Sequence, residues 1–277
     1  MTRLKKILQY FIIAIRGGTP IIYYHLRYNR KFAKHPEKYP IEYRYKMVRK
    51  EIMKVYKAFW PKYDFKNMNV LSDFSEPTLI IPNHYSNMDP LLFIAMSEKP
   101  LTFIAKKEIL DFPFVGAILK SIDIYPIDRQ NLMSQVRTIA EIVRHLKTPG
   151  ASPVCIFAEG TRNKKPNTNC AELHAGTLKI AQKANAKVAP CALYGTFRLL
   201  TTKSYLHHYP VFMHFMDPVS AEEVQKLSTF ELAEKVRKII SDEIDVEREL
   251  DRKMIYSQKL TKHRKALETI VDTRVDS

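Results

Sequence analysis

The stretch Thr78–Pro90, TLIIPNHYSNMDP, contains the pattern on which the fold prediction depends. Its first five residues form a short apolar run that predicts a buried β-strand. A polar loop, NHYSNMD, then separates this strand from a helix predicted to begin at Pro90, because proline is favoured in the first turn of a helix. The stretch therefore predicts a strand, a loop and a helix in immediate succession.

The same alternation continues on the C-terminal side of this stretch. Strands are predicted at residues 78–82, 101–105, 122–127, 153–158, 188–193 and 211–215, and helices between them at residues 90–97, 114–120, 132–146 and 171–184. Strands and helices that alternate at this spacing are typical of an α/β domain with helices on its sheet. We therefore predict an α/β fold with a mixed, largely parallel sheet flanked by helices.

The composition is that of an ordinary globular protein. Of the 277 residues, 45% are hydrophobic and 27% are charged, which excludes disorder, collagen and a simple coiled coil. Cys155, Cys170 and Cys191 are scattered without a CxxC pair. This spacing argues against a disulfide framework and a zinc finger, and it fits a reducing compartment. We expect no metal site.

The positive charge is concentrated at the N-terminus. The chain has a formal net charge of +16, and residues 1–50 combine 13 Lys and Arg residues with two glutamates and nine aromatic residues. Two short apolar runs, Ile7–Ile15 and Ile21–Leu26, are separated by Gly17, Gly18 and Pro20, which predict a break between two helices. Neither run reaches the roughly 18 apolar residues that span a bilayer.

These features predict an amphipathic helical motif at the interface of an anionic membrane. One alternative is a basic helix that packs on the domain, and another is a nucleic-acid-binding segment, although the sequence has no RNP, KH or zinc-finger pattern. The predicted division of the chain is a membrane-interface motif at residues 1–60, an α/β domain at 61–250, and a charged C-terminal helix or tail at 251–277.

The loop after the first strand contains the best candidates for catalysis. His84 is suited to act as a base near neutral pH, and Asp89 lies five residues further on. A carboxylate that accepts a hydrogen bond from one imidazole nitrogen fixes the tautomer of the ring and stabilises the imidazolium. The alternative is that Asp89 only caps the helix that begins at Pro90.

Polar residues also follow three other predicted strands. They include Lys106, Arg129 and the run FAEGTR, which ends with Glu159, Gly160, Thr161 and Arg162. Ligands collect at strand carboxyl ends in open α/β sheets, and arginine binds phosphate with two parallel hydrogen bonds. A basic crevice beside a His–Asp pair indicates transfer chemistry on an alcohol that carries a phosphate.

Four motif blocks resemble those of the PlsC-type glycerolipid acyltransferases, above all the 1-acylglycerol-3-phosphate acyltransferases. In chain order they are NHYSNMD, the segment 105–129 AKKEILDFPFVGAILKSIDIYPIDR, FAEGTRN and VAPCAL, within residues 75–200. The sequence departs from the usual pattern at Ala158 and Asn163, which replace Pro and Ser, and at Asp123, which replaces Gly.

The resemblance implies acyl transfer from a thioester, acyl-CoA or acyl-carrier protein, to the sn-2 hydroxyl of lysophosphatidic acid, giving phosphatidic acid. In this family His84 would be the general base and Asp89 would orient it, without a cofactor, a metal or a covalent acyl-enzyme. Glu159, Gly160, Thr161 and Arg162 would hold the glycerol-phosphate part, and Lys106 and Arg129 its phosphate.

The resemblance also implies a glycerol-phosphate acyltransferase-like fold and a peripheral protein on the cytoplasmic face of the membrane, with lipids and not nucleic acid as partners. Three alternatives stay open. The first is an acyltransferase whose acceptor is another lysophospholipid or glycerol-3-phosphate. The second is a hydrolase in which the His–Asp pair activates water, and the third is a protein that binds lipid without catalysis.

Overall fold

The structure, a computed structural model, describes residues 3–165, 167–199 and 208–257. Within these residues the chain forms one seven-stranded sheet in the order β1-β7-β6-β2-β5-β3-β4. The strands are β1 (Pro61–Lys66), β2 (Thr78–Pro82), β3 (Thr102–Lys106), β4 (Tyr125–Ile127), β5 (Val154–Cys155), β6 (Lys187–Tyr194) and β7 (Tyr209–Phe215).

The five strands from β6 to β4 are parallel, whereas β7 runs antiparallel to β6 and β1 runs parallel to β7. The prediction of a mixed, largely parallel sheet is confirmed. The carboxyl ends of the five parallel strands therefore meet at one edge of the sheet, and the four polar loops that the sequence singled out follow strands at this edge.

Helices cover both faces of the sheet. They are α1 (Arg3–Tyr24), α2 (Arg30–Lys34), α3 (Ile41–Lys57), α4 (Asp89–Met96), α5 (Val115–Ser121), α6 (Leu132–Leu146), α7 (Ala175–Ala184), α8 (Ala221–Lys226) and α9 (Thr229–Ser257). In β2, Ile80 packs with α3, α4 and α5, whereas Leu79 and Ile81 pack with α6, α7 and α9. Side chains alternate between the faces of a strand, so a strand covered on both faces is apolar throughout.

The N-terminal helix differs from its prediction. The predicted break at Gly17, Gly18 and Pro20 is wrong, because α1 is continuous from Arg3 to Tyr24 and passes into a π-helical turn at His25–Asn29. Gly17 lies inside this helix, where an added Cβ would be in ordinary van der Waals contact with Ala58 at 3.7 Å. No helix among the described residues is long and apolar enough to cross a membrane.

Asp123 joins the N-terminal helices to the α/β domain. It adopts a positive φ of 51° at the end of α5, which shortens the predicted strand 122–127 to the three residues of β4. Its two carboxylate oxygens accept hydrogen bonds from Arg44 of α3 at 2.8 and 2.6 Å. Arg44 is buried and also donates to the carbonyl of Ser121 at 2.8 Å. Asp123 thus holds α3 against the sheet.

The C-terminal helix α9 runs past residue 250, where the sequence predicted the start of a charged helix or tail. Asp251 is buried and accepts two hydrogen bonds from Arg198, at 2.7 and 2.5 Å, so this part of α9 packs on the domain. The remainder of the predicted tail, residues 258–277, lies outside the described residues. The division of the chain at residues 60 and 250 stays a prediction.

Candidate active site

The loop between β2 and α4 brings His84 and Asp89 into direct contact. The Nδ1 atom of His84 lies 2.9 Å from Oδ2 of Asp89. An ionised carboxylate only accepts hydrogen bonds, so Nδ1 carries the proton and Nε2 is left as the basic nitrogen. The side chain of His84 is 16% exposed and that of Asp89 is fully buried. Among the described residues, Nε2 of His84 has no hydrogen-bond partner, so it is available to a substrate.

Asp89 receives hydrogen bonds from the loop and from a distant turn. Its Oδ2 atom also accepts from the backbone N–H groups of Tyr85 and Ser86, both at 2.7 Å. Its Oδ1 atom accepts a hydrogen bond from the hydroxyl of Thr196. The alternative of a simple helix cap is not what the structure shows, because α4 begins at Asp89 and the carboxylate accepts from residues before the helix.

Contacts with neighbouring elements fix the shape of this loop. Asn83 exchanges two hydrogen bonds with the backbone of Leu193 in β6, at 2.9 and 2.7 Å. The carbonyl of His84 accepts from the N–H of Asn163 at 2.7 Å, and the hydroxyl of Tyr56 donates to the carbonyl of Met88 at 2.6 Å. The loop is therefore held on both sides of the His–Asp pair, which fixes the position of the two side chains relative to each other.

Glu159 supports His84 from the turn that follows the neighbouring strand β5. Its Oε1 atom accepts the backbone N–H of His84 at 2.9 Å, and the thiol of Cys170 lies 3.6 Å away. Burial raises the pKa of Glu159 to about 7, although both hydrogen bonds oppose the shift. Its Oε2 atom is buried without a hydrogen-bond partner among the described residues. The carboxyl group is buried and holds the backbone of the loop between β2 and α4.

Gly160 brings the second and third motif blocks together. Its φ of +71° lies in the region that favours glycine, and a Cβ there would lie 2.6 Å from Nε2 of His174 and 3.7 Å from Nη1 of Arg129. Only a residue without a side chain therefore fits this turn. The guanidinium of Arg129, which follows β4, consequently reaches the turn that follows β5.

The remaining predicted site residues are cations and a hydroxyl on the surface. Lys106, Arg129, Thr161 and Arg162 are exposed. Lys106 ends β3 and pairs with Ile127 at the end of β4, so these residues belong to the same sheet edge as His84. Hydrogen bonds and ion pairs among the described residues do not engage the side chains of Lys106, Arg129 or Arg162, which leaves their charge available to an anion.

Sequence reasoning missed one residue that contacts the His–Asp pair and one that contacts Glu159. Thr196 lies 107 positions from Asp89 and just after the fourth motif block, and only the parallel pairing of β2 and β6 makes the two neighbours. Cys170, which was not a candidate site residue, lies with its thiol 3.6 Å from Oε1 of Glu159. In the part of the chain that the structure describes, no group of three His, Cys, Asp or Glu residues is placed to hold a metal ion.

Comparisons with known proteins agree with this sheet, this His–Asp pair and this basic edge. The family described as Acyltransferase matches residues 62–194, which contain every residue of the predicted site. Residues 62–194 match the model of this family, and the resemblance to PlsC-type acyltransferases is confirmed.

The chain is similar to several proteins named 1-acyl-sn-glycerol-3-phosphate acyltransferase. A protein of Mycoplasma genitalium with that name, qualified as probable, is 28% identical over 235 residues, which cover 77% of this chain and 82% of the relative. The Borreliella burgdorferi protein is 29% identical over 174 residues, which cover 60% of this chain and 64% of that protein. The crystal structure of the lysophosphatidic acid acyltransferase PlsC from Thermotoga maritima shares the fold. It has a TM-score of 0.59 and 22% identity, covering 87% of this chain and 94% of that chain.

Proposed function

We propose that this protein transfers a fatty acyl group from an acyl thioester to the free sn-2 hydroxyl of 1-acylglycerol-3-phosphate, giving phosphatidic acid. The observation that carries the proposal is the hydrogen bond between His84 and the buried Asp89, at a sheet edge that also presents unpaired cations. The names of the relatives support the same acceptor and the same reaction.

The proposed reaction needs one base and no enzyme nucleophile, because the thioester is already an activated acyl group. His84 Nε2 accepts the proton of the acceptor hydroxyl while its oxygen attacks the thioester carbonyl. Asp89 stabilises the resulting imidazolium through Nδ1. The tetrahedral intermediate then collapses, the carbon–sulfur bond breaks, and the imidazolium returns the proton to the leaving thiolate. The products are the new ester and a free thiol, and His84 is neutral again.

We assign the acceptor phosphate to Lys106, Arg129 and Arg162. All three are exposed at the edge that carries His84, and the side chain of Arg129 reaches Gly160. Guanidinium groups bind phosphate oxygens with paired hydrogen bonds, and an ammonium adds a point charge. The proposed role of Glu159 differs from the one that the resemblance implies, because its carboxyl group is turned to the backbone of His84.

A panel of acceptors tests the proposed substrate. Purified protein in vesicles receives an acyl thioester, as acyl-CoA or acyl-carrier protein, with lysophosphatidic acid, glycerol-3-phosphate or lysophosphatidylcholine. Phosphatidic acid formed from lysophosphatidic acid at the highest rate is the expected result. A faster reaction with either of the other acceptors would move the assignment to that acceptor.

We also propose that the protein binds peripherally to the cytoplasmic face of the membrane. Large apolar side chains are exposed on α1 and the turn that follows it, including Ile15, Ile22 and Leu26. The loop after β3 exposes Phe112 and Phe114, and the ring of Phe114 lies 4.7 Å from that of His25 at the end of α1. These apolar groups lie close together beside the basic N-terminal helices, a combination that suits the interface of an anionic leaflet.

Phe112→Ser is expected to weaken binding to vesicles of anionic phospholipid by about tenfold, because inserting a phenyl ring contributes about 1.5–3 kcal/mol. The matched control is Phe230→Ser at the start of α9. Phe230 is 66% exposed and Phe112 is 62% exposed. Gln182, near the end of α7, donates to the carbonyl of Leu227 at 2.8 Å, which places the start of α9 near the opposite end of the strands. Co-sedimentation measures both. Equal losses for the two variants, or none for Phe112→Ser, would contradict the proposed surface.

A further inference from the structure

The two oxygens of the Asp89 carboxylate have very different surroundings. Oδ2 accepts three hydrogen bonds, from His84 Nδ1 and from the backbone of Tyr85 and Ser86. Oδ1 accepts one hydrogen bond among the described residues, from the hydroxyl of Thr196. Both Asp89 and Thr196 are fully buried, so solvent water does not replace the Thr196 hydroxyl as a donor to Oδ1. The hydrogen bonding of Oδ1 therefore depends on the hydroxyl of Thr196.

A turn at Gly195, which requires glycine, places Thr196 next to Asp89. Strands β2 and β6 are parallel neighbours, and their register pairs Pro82 with Cys191. The segments that follow the two strands therefore leave the sheet at the same carboxyl-end edge. Gly195 follows β6 with a φ of +90°, and a Cβ there would lie 2.1 Å from the carbonyl oxygen of Pro210. Thr196 then starts a short 3₁₀ turn directly after this glycine.

We infer that Thr196 is a positioning residue for the catalytic pair, an inference that rests on the proposed function. A hydrogen bond to each oxygen fixes the rotation of the carboxylate, so that Oδ2 stays in line with Nδ1 of His84. Without the hydroxyl, Oδ1 is a buried acceptor without a partner, and the carboxylate gains from rotating away to find one. His84 then loses the aligned partner that stabilises its imidazolium.

The contacts of Thr196 predict an effect on turnover and not on substrate affinity. Its hydroxyl contacts Asp89 and is buried behind the loop, whereas the cations assigned to the acceptor phosphate are exposed. Thr196→Val keeps the shape of the side chain and removes only the hydroxyl. We expect kcat to fall by about 10- to 100-fold while KM changes less than about twofold.

Thr196→Ser is the matched control, because it restores the hydroxyl without the methyl group, and we expect kcat within about threefold of the wild type. Thermal unfolding of both variants separates this effect from a loss of folding. A folded Thr196→Val variant with the kcat of the wild type would overturn the inference, and so would equal losses of kcat in the valine and serine variants.

A spectroscopic readout separates this inference from the proposed function. The Nδ1 proton of His84, hydrogen-bonded to a carboxylate, gives a downfield proton resonance in NMR. We expect Thr196→Val to move or remove this resonance and Thr196→Ser to retain it, whether or not lysophosphatidic acid is the acceptor. An unchanged resonance in Thr196→Val would overturn the inference. A wild-type protein with the resonance but without phosphatidic acid formation would overturn only the proposed function.

Discussion

Replacing His84 by alanine is expected to lower kcat for acyl transfer by about 10²- to 10⁴-fold, the usual contribution of a general base. Nε2 of His84 is the proposed acceptor of the hydroxyl proton, and the nearby carboxyl of Glu159 is buried and turned to the backbone. The KM for the acceptor should change little, because the cations assigned to its phosphate are retained. The rate of phosphatidic acid formation at saturating substrate measures the effect.

The matched control for His84→Ala is His35→Ala. His35 is partly exposed and lies 3.4 Å from Glu37 in the turn that follows α2, outside the predicted motif blocks. It should retain wild-type kcat, and both variants should bind vesicles and unfold like the wild type. A His84→Ala variant that retains most of its kcat would contradict the role of His84 as the base.

Replacing Asp89 by asparagine is expected to lower kcat by about 10³- to 10⁴-fold. The change keeps the size of the side chain and removes its charge, so the imidazolium of His84 loses its stabilising partner. The NH₂ group of the asparagine would replace either Oδ2, which accepts three hydrogen bonds, or Oδ1, which accepts the Thr196 hydroxyl. In both orientations a donor then faces the NH₂ group instead of an acceptor, and the imidazole loses its fixed orientation.

The same variant separates catalysis from helix capping. Asparagine caps helices about as well as aspartate, so a residue that only stabilised α4 would tolerate the change with nearly full activity. Asp73→Asn is the control, since Asp73 is an exposed carboxylate near Lys187, which begins β6 at the opposite end of the strands. An Asp89→Asn variant with at least a tenth of the wild-type kcat would exclude the proposed role of Asp89.

The sequence predicted the parts of the fold that depend on local pattern. β2 has the predicted bounds because five consecutive apolar or β-favouring residues end at a polar loop, and α6 has the predicted bounds because its apolar residues repeat with a helical period. The proximity of the motif blocks could also be predicted, since the carboxyl ends of parallel strands meet at one edge.

Features that depend on tertiary contacts were not predictable from local pattern. α1 continues through Gly17 and Pro20 and packs along α3, a contact between helices that the local pattern does not show. The sequence did not predict β1, because charged residues alternate with Tyr63 and Phe65. Pairing with β7 holds this segment as the outermost strand of the sheet. The contacts of the site likewise depend on residues far apart in the chain.

Within the site, the sequence indicated His84 and Asp89 but not how they are held. Glu159 supports the backbone of His84, and Thr196 binds Asp89, through contacts that span 75 and 107 positions. The type of residue gives no sign of such a role, because a glutamate in a polar loop and a threonine after a strand are both ordinary on a protein surface. Only the order of strands in the sheet brings them to the pair.

The most direct measurement is the balance between thiol release and ester formation by the wild-type protein on vesicles that contain lysophosphatidic acid. A labelled acyl thioester is supplied as acyl-CoA and, in a parallel sample, as acyl-carrier protein. We predict one free thiol for each labelled phosphatidic acid formed with at least one donor, because His84 activates the acceptor hydroxyl and not water. Thiol release that yields free fatty acid instead of phosphatidic acid, or no release with either donor from folded, vesicle-bound protein, would contradict the account.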